Sequence, residues 1–98
     1  MLEKYKLINI VHSGRKGLRG TTVDAFKYDG LINSDVWFDI FDCQRGKNFR
    51  FLLKHHPNYD YWDTSLVLAV KEGYDEDGIK RFEIETENSI YILEKVNN

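Results

Sequence analysis

Residues 65–96 read SLVLAVKEGYDEDGIKRFEIETENSIYILEKV, and this stretch decides the fold. In Ile79–Thr86, Phe82 and Ile84 fall on one face and Arg81, Glu83 and Glu85 on the other, the period-2 alternation of a half-buried strand. Glu87-Asn88 supplies a two-residue turn, since Asn tolerates the positive φ such turns require. Ser89–Val96 then returns with Ile90 and Ile92 on one side and Tyr91 and Leu93 on the other. Before this hairpin, Ser65–Glu72 carries the run Leu66-Val67-Leu68-Ala69-Val70, which predicts a strand buried on both faces. Gly73-Tyr74-Asp75-Glu76-Asp77-Gly78 is the loop between them.

The same signals recur upstream. Tyr5–His12 reads as a strand, although Leu2, Tyr5, Ile8 and Val11 also fit the spacing of a short helix. Ser13–Gly20 is a loop because three glycines depress helix and strand propensity together. Thr21–Tyr28 predicts a further strand, closed by the turn signal Asp29-Gly30. Val36–Cys43 and Phe49–Lys54 predict a hairpin, with Val36, Phe38 and Ile40 on one face and Gln44-Arg45-Gly46-Lys47 as its connection. His55-His56-Pro57-Asn58 breaks the pattern, because proline cannot donate a ladder hydrogen bond. The sum is a mainly β chain of six or seven short antiparallel strands with little helix. Such strands close into a small barrel or a strongly curved sheet, with a sandwich as the alternative.

Ninety-eight residues with 42 % hydrophobic and 14 % aromatic side chains make a single domain, residues 1–98, able to bury a core without disulfides or metal. Cys43 is the single cysteine, so no internal disulfide forms and a reducing compartment is expected. No apolar run reaches the ~20 residues of a membrane span, and residues 1–6 lack the apolar stretch of a signal peptide. These features predict a cytoplasmic protein with no membrane role. The formal net charge of −2 divides unevenly, a basic half over residues 1–56 and an acidic half over 57–98. That division marks a charged contact face, or disappears if strands of the two halves interleave.

Four segments are candidates for function. The first is the loop holding Arg15, Lys16 and Arg19 among Gly14, Gly17 and Gly20, where freed backbone N–H groups and guanidinium groups suit phosphate or an acidic protein surface. Its spacing is neither a P-loop nor a dinucleotide fingerprint, and a solvated turn reads equally well. The second runs from His55 to Asp63. His55 or His56 with Asp60 and Asp63 follows no metal-site spacing, and adjacent histidines on an extended chain point to opposite sides. Tyr59, Tyr61 and Trp62 in this polar segment are instead interface candidates, or rings that fold back to plug a barrel end. The third is the acidic loop around Tyr74, which lacks the calcium-loop spacing. The fourth is catalytic: His12, His55, His56 and Cys43 are acid, base or nucleophile types, with Lys16 or Arg15 as a nuclease-like companion, yet no catalytic spacing joins them.

Trp62-x-Thr64-Ser65 leading into an apolar strand, then Thr86-x-Asn88-Ser89-x-Tyr91-x-Leu93, resembles the ending of small uncharacterised β-proteins of phages and other mobile elements over residues 62–95. That resemblance implies a compact accessory protein that blocks host machinery, as anti-defence inhibitors such as anti-CRISPR proteins do. It supplies no site residues.

The expected function is therefore a non-enzymatic protein-binding module, possessing no cofactor, with Tyr59, Tyr61 and Trp62 as contacts and Arg15, Lys16 and Arg19 steering association. The alternative is a small nucleic-acid-binding barrel using Arg15, Lys16, Arg19, Arg45, Lys47, Arg50 and Lys54 on phosphates. A second alternative is a His-dependent hydrolase or nuclease. An exposed edge strand such as the first would also favour a homodimer.

Overall fold

In the computed structural model, the residues described are 2–14, 17–23, 28 and 30–96. Among them, seven strands form one antiparallel sheet: β1 (Glu3–His12), β2 (Ser34–Phe38), β3 (Arg50–Leu52), β4 (Tyr61–Asp63), β5 (Val67–Tyr74), β6 (Lys80–Thr86) and β7 (Ser89–Lys95). Their spatial order is β4-β3-β2-β1-β7-β6-β5, so the sheet is open, with β4 and β5 at its edges. The expected curved sheet is what forms; it curls without closing into a barrel. The first strand is internal, paired to β2 on one side and β7 on the other, so it offers no free edge for a dimer.

Curling is enforced by the core. Phe51 on β3 and Tyr91 on β7 have ring centroids 5.4 Å apart, although β2 and β1 lie between their strands. A flat sheet would set those two strands about 14 Å apart. Tyr5, Leu7, Val36, Phe38, Phe51, Ile84 and Leu93 are almost wholly excluded from solvent on the concave side. Phe38, Phe49 and Phe51 meet edge to face at 5.0–5.5 Å, and Tyr5 stacks on Phe38 at 4.4 Å. Such offset geometries are the favoured ones for aromatic rings.

The strands of the final hairpin match their sequence pattern, but the Glu87-Asn88 turn forms without the positive φ expected at Asn88. Phe82 pairs with Leu93 and Ile84 with Tyr91, all four buried, and Thr86 Oγ1 accepts from Ser89 N–H at 3.2 Å across the Glu87-Asn88 turn. In β1 the register with β7 slips between Leu7 and Asn9. This β-bulge changes the parity of burial from Tyr5 and Leu7 to Ile10, so the strand reading holds and the helix-like spacing of Leu2, Tyr5, Ile8 and Val11 does not define a buried face. Gly14 packs against the turn of the final hairpin: a Cβ there would lie 2.6 Å from the Glu87 carbonyl oxygen.

Three expectations are corrected. The strand expected over Val36–Cys43 ends at Phe38, because the Asp39 carboxylate accepts the Phe41 N–H at 3.0 Å and caps a 3₁₀ turn over Ile40–Asp42. Phe41 is consequently 82 % exposed, and the hairpin reduces to one register pair, Trp37 with Leu52. Tyr61–Asp63, read as loop, is strand β4, paired in register with β3. Leu66–Val70 is not buried on both faces: β5 is an edge strand, and Leu66, Leu68 and Val70 are exposed. Of the strand expected over Thr21–Tyr28, Thr22 forms an isolated bridge with Val11, while residues 24–27 lie outside the described residues.

Phe51→Ala should lower the unfolding free energy by about 3–5 kcal/mol, whereas Phe41→Ala should change it by no more than about 0.5 kcal/mol. Urea unfolding followed by tryptophan fluorescence measures both. Equal effects would mean that Phe41 is not outside the core.

Candidate functional site

The β4 edge gathers the aromatic residues. Trp62 alternates inward and packs against the core, while Tyr61 and Asp63 alternate outward. The Trp62 indole N–H donates to the Tyr91 hydroxyl at 3.3 Å, tying the edge strand to β7 across the concave side. Tyr28 and Tyr59 flank the indole, with centroids at 5.7 and 5.8 Å. The approach to β4 is shaped by His56, whose Nδ1 accepts from the backbone N–H groups of Asn58 and Tyr59 at 3.1 and 3.2 Å. Tyr59 and Tyr61 remain 40 % and 48 % exposed, and with Asn58, Asp60, Trp62 and Asp63 they line a shallow cleft of about 510 Å³.

Arg50 completes this face. Its guanidinium lies 3.9 Å from the centre of the Tyr61 ring and forms two hydrogen bonds, 2.7 and 3.1 Å, to the Asp63 carboxylate. Those bonds, first of all, hold the Asp63 pKa below the usual carboxylate value. Burial pushes the Tyr91 hydroxyl pKa up to about 12, partly offset by the Trp62 N–H.

Among the described residues, the contacts of the other expected cations lie away from Arg50. Arg19 folds back on its own loop and on β6, donating to the Ser13 carbonyl at 2.9 Å and to Glu85 at 2.9 and 3.1 Å. Arg15 and Lys16 lie outside the described residues. Arg45 and Lys47 are exposed in the connection before β3, where Lys47 offers its carbonyl to Val67 N–H. Lys54 covers the Trp37 ring at 4.7 Å, with Lys4 at 5.7 Å and His55 edge-on at 5.8 Å. Trp37 on the convex face is the residue that sequence reasoning passed over; its position opposite Lys4 and Leu52 on neighbouring strands depends on long-range register.

Among the described residues, three ion pairs interleave the two charged halves in space. Lys95 with Glu3, Arg19 with Glu85 and Arg50 with Asp63 each join residues of the basic and acidic halves. His12 sits at one end of β1 and His55 beside Trp37, whose strand partner is Lys4 at the other end, roughly 25 Å of strand away. Burial pushes the Cys43 thiol pKa up to about 11. Among the described residues, no three His, Cys, Asp or Glu side chains cluster as metal ligands, and no helix is long and apolar enough to cross a membrane.

Comparison with protein-family models, curated proteins and solved structures returns no match. The resemblance of residues 62–95 to phage and mobile-element proteins gains no support from them.

Two measurements check this geometry. Trp62→Ala should cost about 3 kcal/mol of stability, and Tyr59→Ala or Tyr61→Ala at most about 1 kcal/mol; similar losses for all three would make the tyrosines core. A tyrosine titrates near 10 when unfolded, so raising Tyr91 to about 12 in the fold favours the folded state below that range. Stability should therefore fall as pH rises from about 10 through about 12, and Tyr91→Phe should flatten that fall.

Proposed function

We propose that this chain is a non-enzymatic protein-binding module whose contact surface is the β4 edge, with Tyr59 and Tyr61 as anchors. The observation that carries the reading is two exposed tyrosines held in place, Tyr59 edge-on against an indole locked to the core and Tyr61 over the Arg50 guanidinium. Rings presented this way lose little conformational freedom on binding, and tyrosine, tryptophan and arginine concentrate energy at interfaces. Arg50 holds Tyr61 from beneath and is itself neutralised by Asp63, so the surface is amphipathic with no uncompensated charge at that point. Arg15, Lys16 and Arg19 act at most in steering. An inhibitor of the kind the resemblance implies would act through the same surface by occlusion.

A second reading rests on Trp37. An indole bracketed by Lys4 and Lys54 on a sheet face is a platform for stacking an unpaired base. Against it, Arg19 and Arg50 among the invoked cations are engaged by Glu85 and Asp63, and Lys4 beside the indole by Asp35.

The test uses the full chain as bait beside its Tyr59→Ala/Tyr61→Ala variant, with folding verified by circular dichroism. A protein retained by the parent chain should bind the double variant at least 100-fold more weakly, as expected when two anchors of about 1.5–2 kcal/mol each are removed. Undiminished binding would remove the β4 edge from the interface. Titration with labelled single-stranded oligonucleotides separates the second reading: affinity falling steeply with salt would favour Trp37 and phosphate contacts instead.

A further inference from the structure

The long edge strand β5 is paired on one side, to β6, and carries exposed apolar side chains, and it lies at the opposite edge of the sheet order from the aromatic cleft. Asp75 N–H donates to the Ile79 carbonyl at 2.9 Å, which fixes the alternation of the β5–β6 ladder. Lys71 and Gly73, in the same phase as Asp75, then turn their backbone groups toward β6, while Val70, Glu72 and Tyr74 turn theirs outward. The register shift between Val67 and Ala69 reverses this phase, and the outward groups of Val67 are taken by the Gly46 N–H and the Lys47 carbonyl. One end of the β5 edge is thus covered by the chain itself, and residues 68–74 are left with an uncovered edge among the described residues.

We propose that this segment pairs with the same segment of a second copy, antiparallel about a two-fold axis at Lys71, to form a reversible dimer with a continuous sheet. A two-fold axis normal to a sheet sets residues of like parity opposite one another. Centred at Lys71, the pairing joins Val70 to Glu72 of the second copy and Glu72 to its Val70, which uses the outward backbone groups of both residues reciprocally. Leu68, which the register shift leaves without a partner on β6, and Tyr74 of the second copy come together at each end of the pairing, and both are exposed, 44 % and 69 % accessible. A centre at Ala69 would drive the incoming strand into Gly46 and Lys47 at Val67, and a centre at Glu72 would oppose two carboxylates.

The two Lys71 side chains face each other at the axis, which disfavours pairing. Each also stands opposite Glu83 on its own β6, so the row Glu83–Lys71–Lys71–Glu83 is neutral. Lys71 therefore keeps the dimer weak, in the manner of lysines on other strand edges. A heterologous partner strand would have to match a seven-residue edge bounded by the Lys47 contact and the Asp75 turn; the segment itself has that length.

Sedimentation velocity from about 1 to about 500 μM should show a concentration-dependent shift from one chain to two. Lys71→Val should tighten the dimer at least tenfold, and Val70→Lys should weaken it at least tenfold, with the thermal midpoint confirming that each variant folds. In a Cys43→Ser background, oxidised Lys71→Cys should cross-link readily, because residues facing across the axis lie within disulfide reach, and Val70→Cys should not. If Val70→Lys does not fold, this cross-linking pair decides alone. A single-chain species at every concentration for both the parent and Lys71→Val overturns the proposal, as does cross-linking at Val70→Cys in place of Lys71→Cys. Species growing beyond two chains would mean β5 meeting a different edge, and would overturn it too.

Discussion

The contact between Phe51 and Tyr91 sets the shape on which everything else depends. Their strands are three places apart in the sheet, and only a curled sheet brings the rings to 5.4 Å. Once β3 and β7 are held face to face, Phe38 and Phe49 fill the space beneath them, and Tyr5 bridges from Phe38 to Phe82 on β6. The aromatic content is thus spent largely on spanning distance: long rigid rings reach across a concavity that leucine would leave partly empty. Trp62 extends the same device one strand further, reaching from β4 to Tyr91.

A sheet curled but not closed keeps two edges, and this chain treats them differently. β4 is three residues long, offers few backbone groups, and is dressed with Tyr61, Asp63 and the Arg50 pair. β5 is eight residues long, and among the described residues the Gly46–Lys47 connection covers its first residue. Among the described residues, the antiparallel order sets cations of one half beside carboxylates of the other: Lys6 opposite Glu94, Lys95 beside Glu3. This mixing limits long-range attraction for polyanions and leaves recognition to shape and short-range contact.

The Phe82–Leu93 hairpin was legible because local alternation and a two-residue turn specify it without reference to the rest of the chain. Reading failed where a long-range partner decides. Leu66–Val70 looks central by its apolar run, and only the strand order shows that nothing covers its far side. Val36–Cys43 continues its β pattern through Ile40, but the Asp39 cap offers the backbone a competing local bond. Tyr61–Asp63 is too short to announce itself as a strand, and its pairing with Arg50–Leu52 follows from the register of β3. Tyr59, Tyr61 and Trp62 were legible as a unit by residue type. Their division into two exposed rings and one inward ring was not, since it needs Tyr91, 29 residues on from Trp62, as the indole's partner.

The two β-bulges give the molecule its two kinds of surface. At Leu7–Asn9 the slip lets β1 keep Tyr5, Leu7 and Ile10 inward while following the curl, so the central strand stays bonded on both sides. At Val67–Ala69 the slip does the opposite work on an edge: it puts Val67 in phase to bond with the Gly46–Lys47 connection, and it sends Val70 and Glu72 outward in phase with one another. Without that extra residue, Val67 and the residues of even number beyond it could not both turn their backbone groups outward, since alternation separates odd from even. The same single-residue insertion therefore seals the start of β5 against the chain's own loop and leaves its remainder as an ordered, exposed edge. Side-chain recognition at β4 and backbone recognition at β5 are the two modes that such an open, curled sheet makes available.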